Sequence, residues 1–345
     1  MYEGQTVGVV IPAYNEAGFV GEVIETLPAF VDRAYVVDDC STDETWAEID
    51  RVAARVNERA SPERAAKPTI HADGGRPFEP PVVAIRHERN RGVGGAIKTG
   101  YERARADALD VVAVMNGDGQ MDPDILDRII EPVVDGRAEF AKGNRLSNPD
   151  HREQMPAWRV FGNGLLTFLT KCVSGYWRMN DPQNGYTAIS RRALDRIDLD
   201  RLYEGYGFCN DLLVHLNVHG MRIEDVAMSA RYGDERSHIR YRSFVPTLSW
   251  LLARRAVWRY KQKYVLTDFH PLVFLAVMGV GGGALGMAFV GWSVATAGVG
   301  SLEALVSILI VLLAGLFVTL AMVFDRLANE SIDASVAGRP GGEGP

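Results

Sequence analysis

The chain has 345 residues, enough for one sizeable domain with additions or for two small ones. Apolar residues make up 47%, so a full core can be buried, and a formal net charge of −7 argues against general nucleic-acid binding. The three cysteines, Cys40, Cys172 and Cys209, lie far apart and form no CxxC or Cys/His pattern, which points to free thiols rather than to zinc.

Taken in chain order, Val7 to Ile11 is an apolar run stopped by Pro12, the pattern of a buried strand. The run from Thr6 to Pro12 is too short to be the core of a cleavable signal. Glu16 to Leu27 is helical in pattern, and Ala34 to Val37 predicts a second strand ending in Asp38 and Asp39. A helix is expected over Thr42 to Asn57 and a surface insertion over Ser61 to Pro81, which is rich in Pro, Gly and charge. Val82 to Arg86 predicts a third strand, Gly94 to Ala106 a helix, and Val111 to Met115 a fourth strand ending in Asn116, Gly117 and Asp118. This rhythm predicts an α/β fold: a mainly parallel sheet with helices on both faces. Ligands of such sheets bind beyond the carboxyl ends of the strands. The polar clusters fall at those ends.

Nearer the C-terminus, Phe244 to Leu266 mixes Trp250, Trp258 and Tyr260 with basic residues, as an interfacial amphipathic helix does. Pro271 to Leu302 and Ala304 to Phe324 contain no Asp, Glu, Lys, Arg or His. Each run reaches the roughly 20 residues a helix needs to cross a bilayer. Gly298 to Glu303 is too short a connector for anything but a hairpin. Arg254, Arg255, Arg259, Lys261 and Lys263 precede the first run, Arg326 follows the second, and the connector has no Lys or Arg. The positive-inside rule therefore puts the large N-terminal part and the tail in the cytoplasm. Gly279, Gly283 and Gly286 set small residues along the first run, for close contact either within the hairpin or between chains. The expected organisation is a globular domain over 1–240, an interfacial helix over 241–268, a two-span hairpin over 269–326 and a disordered Gly/Pro/Ala-rich tail over 327–345.

Three clusters carry chemistry. The first, Pro12-Ala13-Tyr14-Asn15-Glu16, follows the first strand. The second, Asp38-Asp39-Cys40-Ser41-Thr42-Asp43-Glu44-Thr45, follows the second strand; its acids can accept hydrogen bonds from a ribose or a base, and Ser41 with Glu44 also has capping-box spacing. The third, Asn116-Gly117-Asp118-Gly119-Gln120-Met121-Asp122-Pro123, alternates oxygen-bearing side chains, so that Asn116, Asp118 and Gln120 point one way if the chain is extended. Hard cations such as Mg²⁺ or Mn²⁺ take oxygen ligands and keep positions for substrate phosphate. The alternative for this cluster is an acidic turn capping the helix that starts near Pro123.

The order and placement of the three clusters resemble the family-2 glycosyltransferases, which have the GT-A nucleotide-sugar fold, over roughly residues 6 to 240. Asn90-Arg91-Gly92-Val93-Gly94-Gly95-Ala96, Gly143-Asn144-Arg145, Asp181-Pro182-Gln183-Asn184-Gly185-Tyr186, Gly207-Phe208 with Asp211, and the hairpin narrow the resemblance to the dolichyl-phosphate and polyprenyl-phosphate sugar transferases. The resemblance implies that Pro12, Tyr14, Glu16, Asp39 and Asp118 hold a UDP- or GDP-hexose donor. It implies that Asp118 and Gln120 ligate a divalent metal, Mg²⁺ or Mn²⁺, and that Asp181 lies by the sugar or acceptor. Asp211 belongs to the same expected catalytic set as Asp118, Arg145 and Asp181. The family pattern is Asp-x-Asp; Asn116 replaces its first acid and would bring less charge to the metal. A lipid phosphate acceptor needs cations to offset its repulsion from the donor. Arg145, Arg159, Arg231 and Arg236 are the candidates. The implied reaction is a single in-line displacement with inversion, at a membrane. A polysaccharide synthase would carry a Gln-x-x-Arg-Trp motif and more spans, and a dinucleotide oxidoreductase would need a Gly-rich turn in Pro12 to Gly18; neither is present. A membrane-tethered nucleotide-sugar-binding protein of weak activity is the alternative of another class, supported by Asn116.

Overall fold

The computed structural model describes residues 1–66, 78–145, 157–228, 241–298, 301–333 and 335–337. The first half runs β1 (Val7–Ala13), α1 (Val20–Glu25), β2 (Arg33–Asp38), α2 (Thr45–Ala66), β3 (Val82–Arg86), α3 (Val93–Ala106), β4 (Val111–Val114), α4 (Leu126–Val134) and β5 (Phe140–Asn144). Then come α5 (Ala157–Ser174), β6 (Thr187–Ser190), α6 (Arg191–Arg196), α7 (Phe208–Val218), β7 (Ile223–Ala227), α8 (Tyr241–Lys261), α9 (Leu272–Ala297), α10 (Leu302–Ala328) and β8 (Ser335–Ala337). The strands form one sheet in the order β3-β2-β1-β4-β6-β5-β7-β8. Only β6 runs against its neighbours; the other pairings are parallel.

Why β1 is apolar without a break is clear from its two faces. Val9 and Ile11 pack with Val23 of α1, Ile49 of α2 and Ile129 of α4. Val10, pointing the other way, packs with Ile97 and Tyr101 of α3 and Leu212 of α7. A strand covered on both sides has no polar face to alternate with.

Helix α2 starts later than expected, at Thr45, and runs into the segment expected as an insertion; residues 67–77 of that segment lie outside the described residues. The chain after Asn329, expected as a disordered tail, returns to the sheet. Asp333 accepts hydrogen bonds from the backbone of Trp177 and Arg178, and β8 pairs with β7. Residues 338–345 are outside the described set.

Helices α9 and α10 are long and apolar enough to cross a membrane, and only 11% and 17% of their most apolar windows are buried. They pack on each other through glycine. A Cβ on Gly279 would lie 2.6 Å from Val318 Cγ2, and one on Gly286 2.8 Å from Val311 Cγ2. These two small residues therefore serve contact inside the hairpin.

The hairpin is joined to the globular part by a buried polar knot. Asp325, near the end of α10, accepts from Arg259 Nη1 at 2.9 Å and Nη2 at 3.1 Å, from Tyr264 Oη at 2.6 Å and from Trp177 Nε1 at 3.0 Å. Lys263 donates to Asn217 and Asn329. Arg259 is 0% exposed, so this cation, counted in the sequence as a flank of the first span, is an internal tie. Helix α8 itself has two apolar faces. Leu248, Leu251 and Leu252 pack on Val173 of α5 and Val214 of α7, while Trp250 and Val257 are 72% and 71% exposed.

Candidate active site

The loops after β1, β2 and β4 meet at the carboxyl ends of three adjacent strands. Side chains of the second loop satisfy the backbone of the first: Asn15 N–H donates to Ser41 Oγ at 2.9 Å, Glu16 N–H to Thr45 Oγ1 at 2.8 Å, and Gly18 N–H to Glu48 at 2.6 Å. Asn15, at φ +56°, returns the contact by accepting from Thr42 N–H. Ser41 therefore makes no capping box with Glu44. Its hydroxyl is used across loops, and Asp43 takes the Thr45 N–H at the start of α2. The third loop is pinned to the first where Gly117 N–H donates to Pro12 O at 3.0 Å.

The expected donor residues divide by exposure. Tyr14 is 45% exposed at the rim, and Glu16 is half-buried behind it. Pro12 is buried in β1 and contributes its carbonyl to the loop contact. Asp39, 2% exposed, contacts His87 Nδ1 at 2.7 Å and accepts from Arg91 N–H at 2.8 Å and Gly92 N–H at 2.7 Å. A carboxylate offers about four lone-pair positions; these contacts leave Asp39 anchoring the entry to α3. The glycines there serve packing: a Cβ on Gly94 would lie 2.7 Å from Tyr203 O.

Asn116, Asp118 and Gln120 share a tight turn with Gly119 at φ +73°, so the extended alternation expected from sequence is not what groups them. The Asn116 amide hydrogen-bonds to the Asp118 carboxylate, and Gln120 N–H donates to Asp118 Oδ1 at 3.0 Å. Burial pushes the Asp118 carboxyl above its ordinary range, against these hydrogen bonds; no neighbouring cation opposes the shift among the described residues. A half-buried carboxylate on a turn that also carries two amide side chains suits a hard divalent cation. The described residues hold no cluster of three or more His, Cys, Asp or Glu fit for a metal. A metal here would draw on one carboxylate, amide oxygens and the phosphates of a donor. The loop after β5 and α5 closes on this turn: a Cβ on Gly185 would lie 3.5 Å from Asn116 Oδ1.

Asp181 sits on that closing loop at φ +47° and is 5% exposed. It grips Arg145 as a fork, Nε to Oδ2 at 2.7 Å and Nη2 to Oδ1 at 2.9 Å. Burial alone would raise the Asp181 carboxyl, but the Arg145 hydrogen bonds and charge, with Lys142, hold it below the ordinary range. Behind it Lys142 and Asp225, facing each other on β5 and β7, fix the backbone of Asn180. Arg145, expected at the acceptor phosphate, is paired with Asp181, and 40% of its side chain remains exposed. Arg159 lies on α5 with its side chain outside the described set, and Arg231 and Arg236 lie outside the described residues altogether.

Asp211 stands apart from these loops. It is buried at the start of α7, accepts from Tyr203 N–H at 2.7 Å and is ion-paired with Arg255 of α8. His215 nearby is pushed down to about 3 by burial and by Arg255, so it is neutral. Between α8 and the 201–205 segment opens a cleft of about 880 Å³ whose walls include Arg91, Tyr203, Glu204, Leu251, Arg254 and Trp258. No local motif marks this cleft, because its residues come from three distant stretches of chain.

Comparison with known proteins agrees with this architecture. Residues 8–198 match the family model described as glycosyl transferase family 2. A UDP-N-acetylglucosamine–dolichyl-phosphate N-acetylglucosaminyltransferase of Methanococcus voltae is 29% identical over 228 residues, 65% of this chain and 85% of that protein. An undecaprenyl-phosphate mannosyltransferase of Micrococcus luteus is 28% identical over 233 residues, 64% of this chain and 81% of that protein. Glucosyl-3-phosphoglycerate synthase from Mycobacterium tuberculosis, solved with Mn²⁺, UDP and phosphoglyceric acid, superposes with a TM-score of 0.50 at 19% identity, over 74% of this chain and 78% of that one. That last likeness speaks for the GT-A fold alone. With more than half the chain inside the family match, the protein belongs to glycosyl transferase family 2 and is a glycosyltransferase.

Proposed function

We propose that the protein transfers a single hexose from a UDP- or GDP-linked donor to a polyprenyl phosphate such as dolichyl phosphate, at the cytoplasmic face of a membrane. The observation that carries this reading is the pairing of an oxygen-rich turn around Asp118 with a buried joint, Arg259 to Asp325, that ties the same domain to two bilayer-length helices. The names of the curated relatives support a lipid phosphate as acceptor. In this reading 1–240 is the catalytic domain, α8 lies at the interface and 269–326 spans the bilayer.

Tyr14 and Glu16 border the donor, and Asp39 holds the neighbouring loop in place. Asp118, with the amide oxygens of Asn116 and Gln120, would hold a Mg²⁺ or Mn²⁺ ion. Such an ion, when bound, neutralises charge developing on a leaving diphosphate. An oxygen of the acceptor phosphate attacks the sugar C1 as the bond from C1 to the donor diphosphate breaks, which inverts that carbon. A phosphate monoester is largely ionised near neutral pH, with a second pKa of about 6, so no general base is required. The Asp181–Arg145 pair stabilises the closing loop beside the reacting groups.

The test is to supply full-length protein in detergent with Mn²⁺ or Mg²⁺, a short polyprenyl phosphate and a panel of nucleotide sugars, and to identify the lipid by mass spectrometry. A glycosylated lipid phosphate is expected. A product formed only on sugars, or nucleotide binding with no turnover on any donor, would overturn the reading.

A further inference from the structure

The start of the closing loop is irregular, so its backbone donors must find partners outside any helix or sheet ladder. Carboxylates from distant elements supply them. Trp177 N–H donates to Asp333 Oδ2 at 2.9 Å, and Arg178 N–H donates to Asp333 Oδ1 and Oδ2 at 3.1 and 3.0 Å. Asn180 N–H donates to Asp225 of β7 at 2.7 Å. The Trp177 indole adds its bond to Asp325 of α10 at 3.0 Å. Asp225 belongs to the sheet, whereas Asp325 and Asp333 belong to the end of the hairpin and the segment that leaves it.

Asp333 is itself fixed by the turn that follows α10. Ile332 N–H donates to Asn329 O at 3.1 Å, Ile332 O accepts from Ile223 N–H at 3.3 Å, and the Ile332 side chain packs against the core cluster that contains Met221 and Ile223. Shortly after Arg178 comes Asp181, at φ +47°. A residue other than glycine keeps that backbone only where its surroundings over-determine it. Asp181 forks onto Arg145, and farther along Gly185 stands beside Asn116 while Tyr186 Oη donates to Asp122 O at 2.9 Å. The closing loop is thus anchored at one end by the tail of the hairpin and at the other by the turn that carries Asp118.

We propose that Asp333 is a positioning residue for sugar transfer: by fixing Trp177 and Arg178 it sets where Asp181 and the rest of the closing loop stand, so the segment leaving the membrane hairpin is part of the frame of the active site. Asp333 acts through the loop, not on the reacting groups. The inference rests on the transfer reaction given above.

The experiment compares wild type, Asp333→Ala, Asp333→Asn and Glu330→Ala as full-length protein in detergent. It measures kcat and KM for the nucleotide sugar with a short polyprenyl phosphate as acceptor, and hydrogen–deuterium exchange along the chain. Misplacing a group at the reacting centre by about 1 Å can cost on the order of 100-fold in rate, so Asp333→Ala should lower kcat about ten- to a hundred-fold. The donor KM should not change, because Tyr14, Glu16 and Asp39 lie on other loops. Exchange should quicken over 177–186 and stay as in wild type over β1, β2 and β4. Asp333→Asn keeps one acceptor oxygen and should recover part of the rate. Glu330→Ala removes only an exposed pair of the same segment with Arg178, at 3.2 Å, and should behave as wild type. Faster loop exchange with kcat unchanged would overturn the inference by making Asp333 an anchor without effect on transfer. Unchanged loop exchange would overturn it too. Quicker exchange throughout the sheet in both Asp333 variants would make the residue a general stabiliser and end the positioning role. A wild type that glycosylates some other acceptor sinks the lipid-phosphate reading alone, and the same comparison on that acceptor still decides the role of Asp333.

Discussion

Replacing Asp325 by Ala removes the acceptor at the centre of the joint between the globular domain and the hairpin. The carboxylate takes both arms of Arg259, the Tyr264 hydroxyl and the Trp177 indole N–H, and it is wholly buried. Its loss strands a guanidinium that is 0% exposed and cannot turn to water. Breaking one side of a buried ion pair costs about 3–5 kcal/mol. For a domain of this size, each kcal/mol shifts the unfolding midpoint by about 2–4 °C. A fall on the order of 10 °C is therefore expected for Asp325→Ala, read by thermal unfolding of the full-length protein in detergent. The cost belongs to the orphaned charge, so Arg259→Met combined with Asp325→Leu should recover most of it. A midpoint within about 2 °C of wild type for Asp325→Ala, less than 1 kcal/mol on the same scale, would refute the reasoning.

Asp118→Ala should abolish transfer with the unfolding midpoint kept, because the residue forms no ion pair among the described residues and its hydrogen bonds from Asn116 and Gln120 lie within its own turn; full activity in that variant, or in excess chelator, would remove the metal role. Gly94→Ala places a Cβ 2.7 Å from a backbone carbonyl that has little room to move, and a loss of about 1–3 kcal/mol is expected in denaturant unfolding. An unchanged midpoint would mean that α3 does not pack on the 203–205 segment as closely as it stands. Burial and the nearby Arg259 push the Lys263 ammonium down to about 8, so the folded chain gives up this proton before the unfolded chain does. Stability should therefore rise as pH is raised from about 8 toward the ordinary lysine value near 10.4. Lys263→Met should remove that rise in thermal melts across the range, and an identical rise in the variant would count against the assignment.

Much of the frame was legible because both layers of the sheet are dry. The apolar runs of β1 and β4 admit little besides buried strands, and their polar ends mark where ligands bind. What was not legible is competition between distant parts of the chain. Ser41 has the spacing of a capping residue, yet Asn15 claims its hydroxyl from the neighbouring loop. Arg145 follows a family-like Gly-Asn, and the sequence does not show that Asp181, from 36 positions away, pairs with it. Arg259 reads as one more basic residue before a span, and only the packing of α8 against α10 turns it inward. The Gly/Pro-rich tail gave no hint of β8, because a three-residue edge strand is set by the partner it meets on β7 rather than by its own composition.

The central claim is that a nucleotide diphosphate and a divalent ion lie together at the carboxyl ends of β1, β2 and β4. Crystals of the protein grown with UDP or GDP and Mn²⁺ test it directly through the anomalous signal of manganese. A manganese peak beside Asp118 and Gln120, bridged to the diphosphate with the base near Tyr14 and Glu16, is the predicted result. Nucleotide and manganese bound elsewhere, with that turn empty, would contradict the account.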